Sequence, residues 1–328
     1  MALLKFTRSI NFGATMAEKK RKIVEGYADV PGGKVWYKVM GEGEGAPLIT
    51  LHGGPGSTHN GFAPLEALSD DRKVIFYDQL GCGKSDRPDD LSLWNTDRFV
   101  QELAELREAL GFSSVHILGH SWGTMLATDY LLTQPKGVQS VIMSSPCISI
   151  PMWIKDCADY IKLLDKDVQD TLAVHQQNGT IDSQEYKSAV EIFNNKHVNP
   201  LHSKPEILKS TAKQRGRIVY ETMWGPNEFY MTGTLAGYDR TVRLHEIKTP
   251  TLFSCGRVDE ATPETTGYYH SLVPGSEFVI YENSAHMPYW DEPERYMNVV
   301  SGFMRRNDLD KSDNDDLALM DFGSTGYA

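Results

Sequence analysis

The sequence predicts an α/β fold: a mostly parallel central sheet flanked by helices, broken by an inserted all-helical segment. Three observations predict it. Short β-branched runs recur along the chain, helical patterns lie between them, and from about residue 146 to 241 the strand-like runs stop while helical patterns continue. Strand, turn, helix, strand is the rhythm of a parallel sheet whose crossover helices cover both faces.

In chain order, the strand candidates are PLITL (47–51), KVIFY (73–77), SVHIL (114–118), SVIMS (140–144), TLFSC (251–255) and EFVIY (277–281). Each is short, apolar and bounded by turn residues, as buried strands are. Helical patterns run over Thr96 to Leu110 and Ser121 to Leu132. Within the insertion, residues 156–177 and 183–198 read as two further helices. An all-helical block at this point reads as a cap over the sheet's carboxyl edge, where open α/β sheets place their ligands. The chain therefore divides into an N-terminal extension (1–25), a core in two pieces (26–145 and 242–306), a helical cap (146–241) and a mobile C-terminal tail (307–328).

The ends carry their own signals. The first 20 residues are basic, with no acid before Glu18, and too broken in hydropathy for a secretory signal. They read as a loose extension, with a mitochondrial-type presequence as the alternative. The tail is acidic and then rich in Gly and Ser, which suggests mobility, or else a docking segment.

Composition narrows the function classes. A net charge of -11 over 328 residues argues against a nucleic-acid or anionic-membrane surface. No apolar run approaches the roughly 20 residues that span a bilayer. The four cysteines, Cys82, Cys147, Cys157 and Cys255, have no CxxC spacing, so neither a zinc site nor a disulfide framework is expected. Free thiols in a reducing, cytoplasmic compartment are the expectation. Oligomeric state is not legible.

The sharpest chemical signal is GHSWG, Gly119 to Gly123, directly after a strand candidate and directly before a helical one. It fits G-x-S-x-G, in which the serine occupies a tight strand-to-helix turn with no room for a Cβ on either side. Ser121 is the candidate nucleophile. A serine hydroxyl needs a base, and the base an orienting acid, in the chain order Ser, acid, His. Asp259, just past TLFSC, is the candidate acid, and His286, in the loop after EFVIY, the candidate base. Asp291 is the rival acid, but its place in DEPERY reads better as a cap of the last helix. The Gly-rich loop LHGGPGS follows PLITL and is placed to aim backbone N–H groups at a developing oxyanion. That assigns the hole to the amides of Gly54 and Trp122. GCGKS (81–85) lacks the first glycine of a phosphate-binding loop and reads as a structural turn beneath the site.

Together, HGGPGS, YDQLGCGKSDRP, GHSWGT, GPNEF and GRVDEATP resemble the proline iminopeptidase family of α/β-hydrolases, and the related L-amino acid amide hydrolases. The resemblance runs from about Gly26 to Arg305, with the motifs in the family's order. It implies an α/β-hydrolase fold and a serine aminopeptidase or amidase that releases an N-terminal residue, proline or another small apolar one, through an acyl-enzyme. It also implies that Glu228, in GPNEF, and Glu260, next to Asp259, bind the substrate's free α-amino group. Two carboxylates beside the nucleophile would hold one ammonium through charge-assisted hydrogen bonds. The partner is then a small peptide or amino acid amide, and no metal or organic cofactor is called for. Trp153, Tyr220, Trp224, Phe229 and Tyr230 are candidates to line a side-chain pocket, or to form cap core. An esterase or lactonase using the same triad, and a non-catalytic receptor on the same scaffold, are the competing readings.

Overall fold

The β-branched runs line up in one eight-stranded sheet in the computed structural model of the chain, which describes residues 21–200 and 206–308. In chain order the elements are β1 (Ile23–Val30), β2 (Gly33–Met40), β3 (Gly45–Leu51), β4 (Arg72–Tyr77), α1 (Thr96–Leu110), β5 (Val115–Ser121), α2 (Trp122–Leu132) and β6 (Val138–Pro146). Five helices follow: α3 (Ile150–Ile161), α4 (Lys166–Asn178), α5 (Gln184–His197), α6 (Glu206–Gln214) and α7 (Arg217–Met223). The chain then returns through β7 (Thr251–Gly256), α8 (Pro263–Leu272), β8 (Glu277–Tyr281), α9 (Pro288–Asp291) and α10 (Pro293–Arg306). None of the described helices is long and apolar enough to cross a membrane.

The strand order is β1-β2-β4-β3-β5-β6-β7-β8, antiparallel at β1/β2 and β2/β4 and parallel elsewhere. From β3 the chain steps outward to β4, then crosses back to lay β5 on the other side of β3. That reversal is a topological switch point, and the crevice beyond the carboxyl ends of β3 and β5 is where such sheets bind ligands. The loops following those two strands are HGGPGS and the GHSWG turn, so the two most distinctive motifs meet there. β5 is buried at every residue, as a parallel strand covered on both faces must be.

The β1/β2 hairpin is absent from the strand candidates above. Its strands carry Glu25, Asp29, Lys34 and Lys38 and are half exposed, so they show no continuous apolar run. The available signal was the turn: Pro31 and Gly32 join the strands, and Gly32 has φ 97°. β1 also begins inside the stretch assigned to the N-terminal extension, so the sheet starts at Ile23 rather than at residue 26.

Between β6 and β7 the described residues form helices and irregular turns. The single helix expected over 156–177 is two: α3 stops at Ile161, and after a short turn Asp165, extended at φ -60°, ψ 146°, opens α4. The helix expected over 183–198 is α5, started by Ser183, whose hydroxyl accepts from the Tyr186 amide at 3.2 Å.

The assigned mobile tail also needs correction at its start. Asp308 accepts two hydrogen bonds from Arg72, each 3.0 Å, and one from the Ala46 amide at 3.1 Å. Its carboxylate also lies 3.0 Å from His116 Nε2. Arg72 is 1% exposed, so this carboxylate is the partner of a buried guanidinium. Residues 309–328 lie outside the described residues. Because removing one partner of a buried pair strands the other charge, Asp308→Ala is expected to cost about 2–3 kcal/mol. Urea denaturation measures this, and an unchanged midpoint would refute the anchoring role.

Candidate active site

The turn at Ser121 has the geometry its glycines require. Ser121 sits at φ 53°, ψ -123°, a backbone region that L-residues with a side chain rarely occupy. A Cβ on Gly119 would lie 2.4 Å from the Gly123 carbonyl oxygen, and one on Gly123 would lie 2.0 Å from that of Leu51. Only glycine fits either position. The Trp122 amide opens α2, where the first N–H groups of a helix have no intrahelical partner. Its indole is locked by a 2.8 Å hydrogen bond from Nε1 to Gln79 Oε1 and an edge contact with Phe99. The HGGPGS loop comes in from β3. A Cβ on Gly53 would stand 3.2 Å from that of Ser121, and Gly54, at φ 116°, is the next residue.

Asp259 follows β7 and is wholly buried. Its carboxylate accepts from the amides of Ala261 (2.8 Å) and Gly256 (3.2 Å), and from His286 Nδ1 at 2.7 Å. His286 follows β8, and its carbonyl oxygen accepts from both His120 Nε2 (2.8 Å) and Ser145 Oγ (3.0 Å). Burial pushes His120 down to about 3, so it is neutral at physiological pH and carries its proton on Nε2. Ser121 and His286 face one cavity of about 100 Å³. Their side chains make no hydrogen bond to each other in this arrangement, and His286 Nε2 stands 3.6 Å from Glu260 Oε1.

GPNEF folds into a turn that presents its acid. Asn227 Oδ1 accepts from the amides of Phe229 (3.2 Å) and Tyr230 (3.0 Å), and its Nδ2 donates to the Tyr186 hydroxyl at 2.8 Å. Glu228 lines the cavity and accepts from the Tyr220 hydroxyl at 3.0 Å. Its backbone carbonyl accepts from Trp153 Nε1 at 2.9 Å. Glu260 is fully buried, and neither of its carboxyl oxygens has a hydrogen-bond partner among the described residues. Burial, then the charges of Glu228 and Asp259, hold Glu260 well above the usual carboxyl range. Burial raises Glu228 as well. Glu260 is not among the cavity-lining residues; its carboxyl stands on the Nε2 side of His286, the side that does the chemistry. Among the described residues, no group of three or more His, Cys, Asp or Glu side chains is arranged to hold a metal ion.

Residues 46–293 match the alpha/beta hydrolase fold family. A proline iminopeptidase of Heyndrickxia coagulans is 53% identical over 282 residues, covering 85% of this chain and 98% of that protein. One from Clostridioides difficile (strain 630) is 40% identical, covering 88% of this chain and all of that protein. The crystal structure of a Mycobacterium smegmatis proline iminopeptidase superposes with a TM-score of 0.81 at 32% identity, over 87% of this chain and 99% of that one. The chain belongs to the proline iminopeptidase family of α/β-hydrolases.

Within this family member, one expectation from the sequence needs correction, and one left open between pocket and cap core divides. Asp291 does not cap the last helix. Glu292 holds that position in α10 without a side-chain capping bond, while Asp291 accepts from the Ala285 amide at 3.0 Å and so braces the loop that carries His286. Of the aromatic pocket candidates, only Tyr220 lines the cavity. Trp153 packs edge-on to Trp224 at 5.7 Å, and Phe229 packs on Phe193 at 4.8 Å, as cap core. Phe62 and Tyr289 line the cavity instead, 5.4 Å apart. Both follow a motif closely, Phe62 after HGGPGS and Tyr289 after His286, and that adjacency was the signal available. GCGKS is a turn, as expected: Asp78 accepts from the Lys84 amide at 2.9 Å, and Gly83 packs so closely that a Cβ would lie 2.0 Å from Asp78 Oδ2.

Proposed function

We propose that this hydrolase is a serine aminopeptidase that releases an N-terminal residue, proline foremost, from short peptides, with amino acid amides as related substrates. The observation that carries the reading is the carboxyl pair beside His286. Burying an acid without a hydrogen-bond partner is costly. A substrate ammonium seated at Glu228, and reaching Glu260 past His286 Nε2 at the cavity wall, would offset that cost and would place the adjacent carbonyl at Ser121. Its similarity to proline iminopeptidases supports proline, as does a small cavity walled by Phe62, Tyr220 and Tyr289, which suits a pyrrolidine ring.

The chemistry follows from the roles. Asp259 accepts a hydrogen bond from His286 Nδ1–H and so fixes the tautomer, leaving the Nε2 lone pair free to take the proton of Ser121 as its oxygen attacks the carbonyl. The amides of Gly54 and Trp122 stabilise the oxyanion. His286 then protonates the leaving amine, and water, activated by the same imidazole, hydrolyses the acyl-enzyme.

Comparing a free-amine prolyl arylamide with a small ester that lacks an amine tests this reading. A hydrogen bond to a charged group is worth about 1.5–3 kcal/mol, so Glu228→Gln is expected to lower kcat/KM for the arylamide by roughly 10- to 200-fold. The ester should lose far less, because its transition state never meets the acid. An equal loss on both would mean that Glu228 supports the cap or the triad instead. Acidification has a matching sign. Both carboxyl groups are raised, so each is neutralised at a pH above the ordinary glutamate value, and KM for the arylamide should climb as pH falls through that region.

A further inference from the structure

Among the described residues that line the cavity, one is a permanent cation: Arg215, in the two-residue link between α6 and α7. It is exposed as well as cavity-lining, which puts it at the open side. The chain holds this link rigidly. The Gly216 amide donates to the Gly56 carbonyl at 2.7 Å, the Gly83 amide to the Gln214 carbonyl at 3.0 Å, and Asn60 Nδ2 to Gln214 Oε1 at 3.1 Å. A Cβ on Gly56 would lie 2.6 Å from the Gly216 carbonyl oxygen, and one on Gly216 would lie 2.4 Å from that of Gly81. The link is thus clasped between the HGGPGS loop and the GCGKS turn, a motif with no part in the proposed bond-breaking chemistry.

The clasp holds the backbone and leaves the guanidinium without an ion-pair partner among the described residues, although its charge acts on Glu228 and Tyr220 across the cavity. Arg217, two residues on, pairs with Glu221 at 2.9 Å, and Arg87 spends its guanidinium on backbone carbonyls. Arg215 has no carboxylate partner within ion-pair distance among the described residues, although the chain carries a net charge of -11. The cavity therefore offers a carboxylate, Glu228, and a guanidinium, with Ser121 in the same wall. A short peptide with both ends free carries the matching charges: an ammonium at one end and, one residue-length of about 3.3–3.6 Å per residue beyond the scissile bond, a carboxylate. Guanidinium and carboxylate match as a two-pronged hydrogen-bonded pair.

We propose that Arg215 determines substrate length by binding the free α-carboxylate of the leaving segment, so that dipeptides are taken ahead of their C-terminal amides. This rests on the peptidase reading above. The test measures kcat/KM for prolyl-alanine and prolyl-alaninamide with the wild type, Arg215→Gln and Arg215→Lys. The wild type is expected to favour the acid by about tenfold or more, the lower end of a charged hydrogen bond because the site is open to solvent. In Arg215→Gln the acid-to-amide ratio should fall toward one, chiefly through KM for the acid, and Arg215→Lys should restore part of it. High salt should shrink the wild-type ratio, as screening of an exposed charge requires. A wild-type ratio near one, or an equal loss on both substrates in Arg215→Gln, overturns the proposal; the latter would mean that Arg215 acts on substrates only through its field at Glu228. If the wild type cleaves neither peptide while it hydrolyses an ester, the peptidase reading itself fails, and this inference with it.

Discussion

Ser121→Ala is expected to lower kcat by on the order of 10⁴- to 10⁶-fold, the range seen when a triad nucleophile is removed while binding and the oxyanion site persist. The fold should survive. The strain at φ 53° belongs to the backbone path between β5 and α2, and alanine bears it no worse than serine does. Gly119 and Gly123, which make that path possible, are untouched. Thermal unfolding should therefore be nearly unchanged while turnover vanishes. A serine-directed phosphonylating reagent should label the wild type once per active site and leave the alanine variant unmodified. Hydrolysis near the wild-type rate would remove Ser121 from the mechanism.

The parts of the fold that were legible are those where burial writes itself into composition. The strands β3 to β7 are largely covered and apolar, so their runs stood out, and β8, half-buried at the sheet's edge, still carries an unbroken apolar run from Phe278 to Tyr281. The β1/β2 hairpin faces water along half its residues, and its alternation was diluted by charge. The cap was legible as helical, but not its breaks: the turn after Ile161 and the extended backbone at Asp165 separate two helices, which the surrounding pattern of apolar residues does not report.

The candidate site shows the same division. Ser121, Asp259 and His286 could be proposed because a tight turn and a fixed order of partners constrain residue types, and the fold brings all three to one edge of the sheet. Glu260 was placed by its neighbour Asp259, but its position beside His286 Nε2, outside the cavity wall, depends on the loop after β7. Asp308 looked like the start of a solvated tail because its partner, Arg72, is 236 residues away in the chain. Arg215 left no mark either. An exposed arginine in a short link is ordinary in sequence, and only the clasp of Gly56, Gly81 and Gly216 around it shows that its place is held.

Asp259→Asn is expected to lower kcat by about 10³- to 10⁴-fold with little change in KM, and to do so far more than Asp291→Asn. The carboxylate of Asp259 is ringed by donors: Oδ1 faces the Ala261 amide and His286 Nδ1, and Oδ2 faces the Gly256 amide. An asparagine has one acceptor for these. With its oxygen at the Oδ1 position, its NH₂ group opposes the Gly256 amide, and the charge that would stabilise a cationic imidazole in the transition state is gone. With the amide reversed, NH₂ faces His286 Nδ1 and favours the tautomer protonated on Nε2, which has no lone pair there to take the proton of Ser121. Both orientations bury a donor against a donor, so a modest loss of stability should accompany the loss of rate. Asp291 is differently placed. Burial pushes it up to about 6, and the one hydrogen bond it accepts, from the Ala285 amide, is one that an asparagine oxygen accepts as well. Asp291→Asn should therefore cost less than about tenfold, the loss of one charge-assisted hydrogen bond at most. Parallel kcat measurements on the two variants decide between the acids: if Asp291→Asn proves the more damaging, the acid that orients His286 has been misassigned.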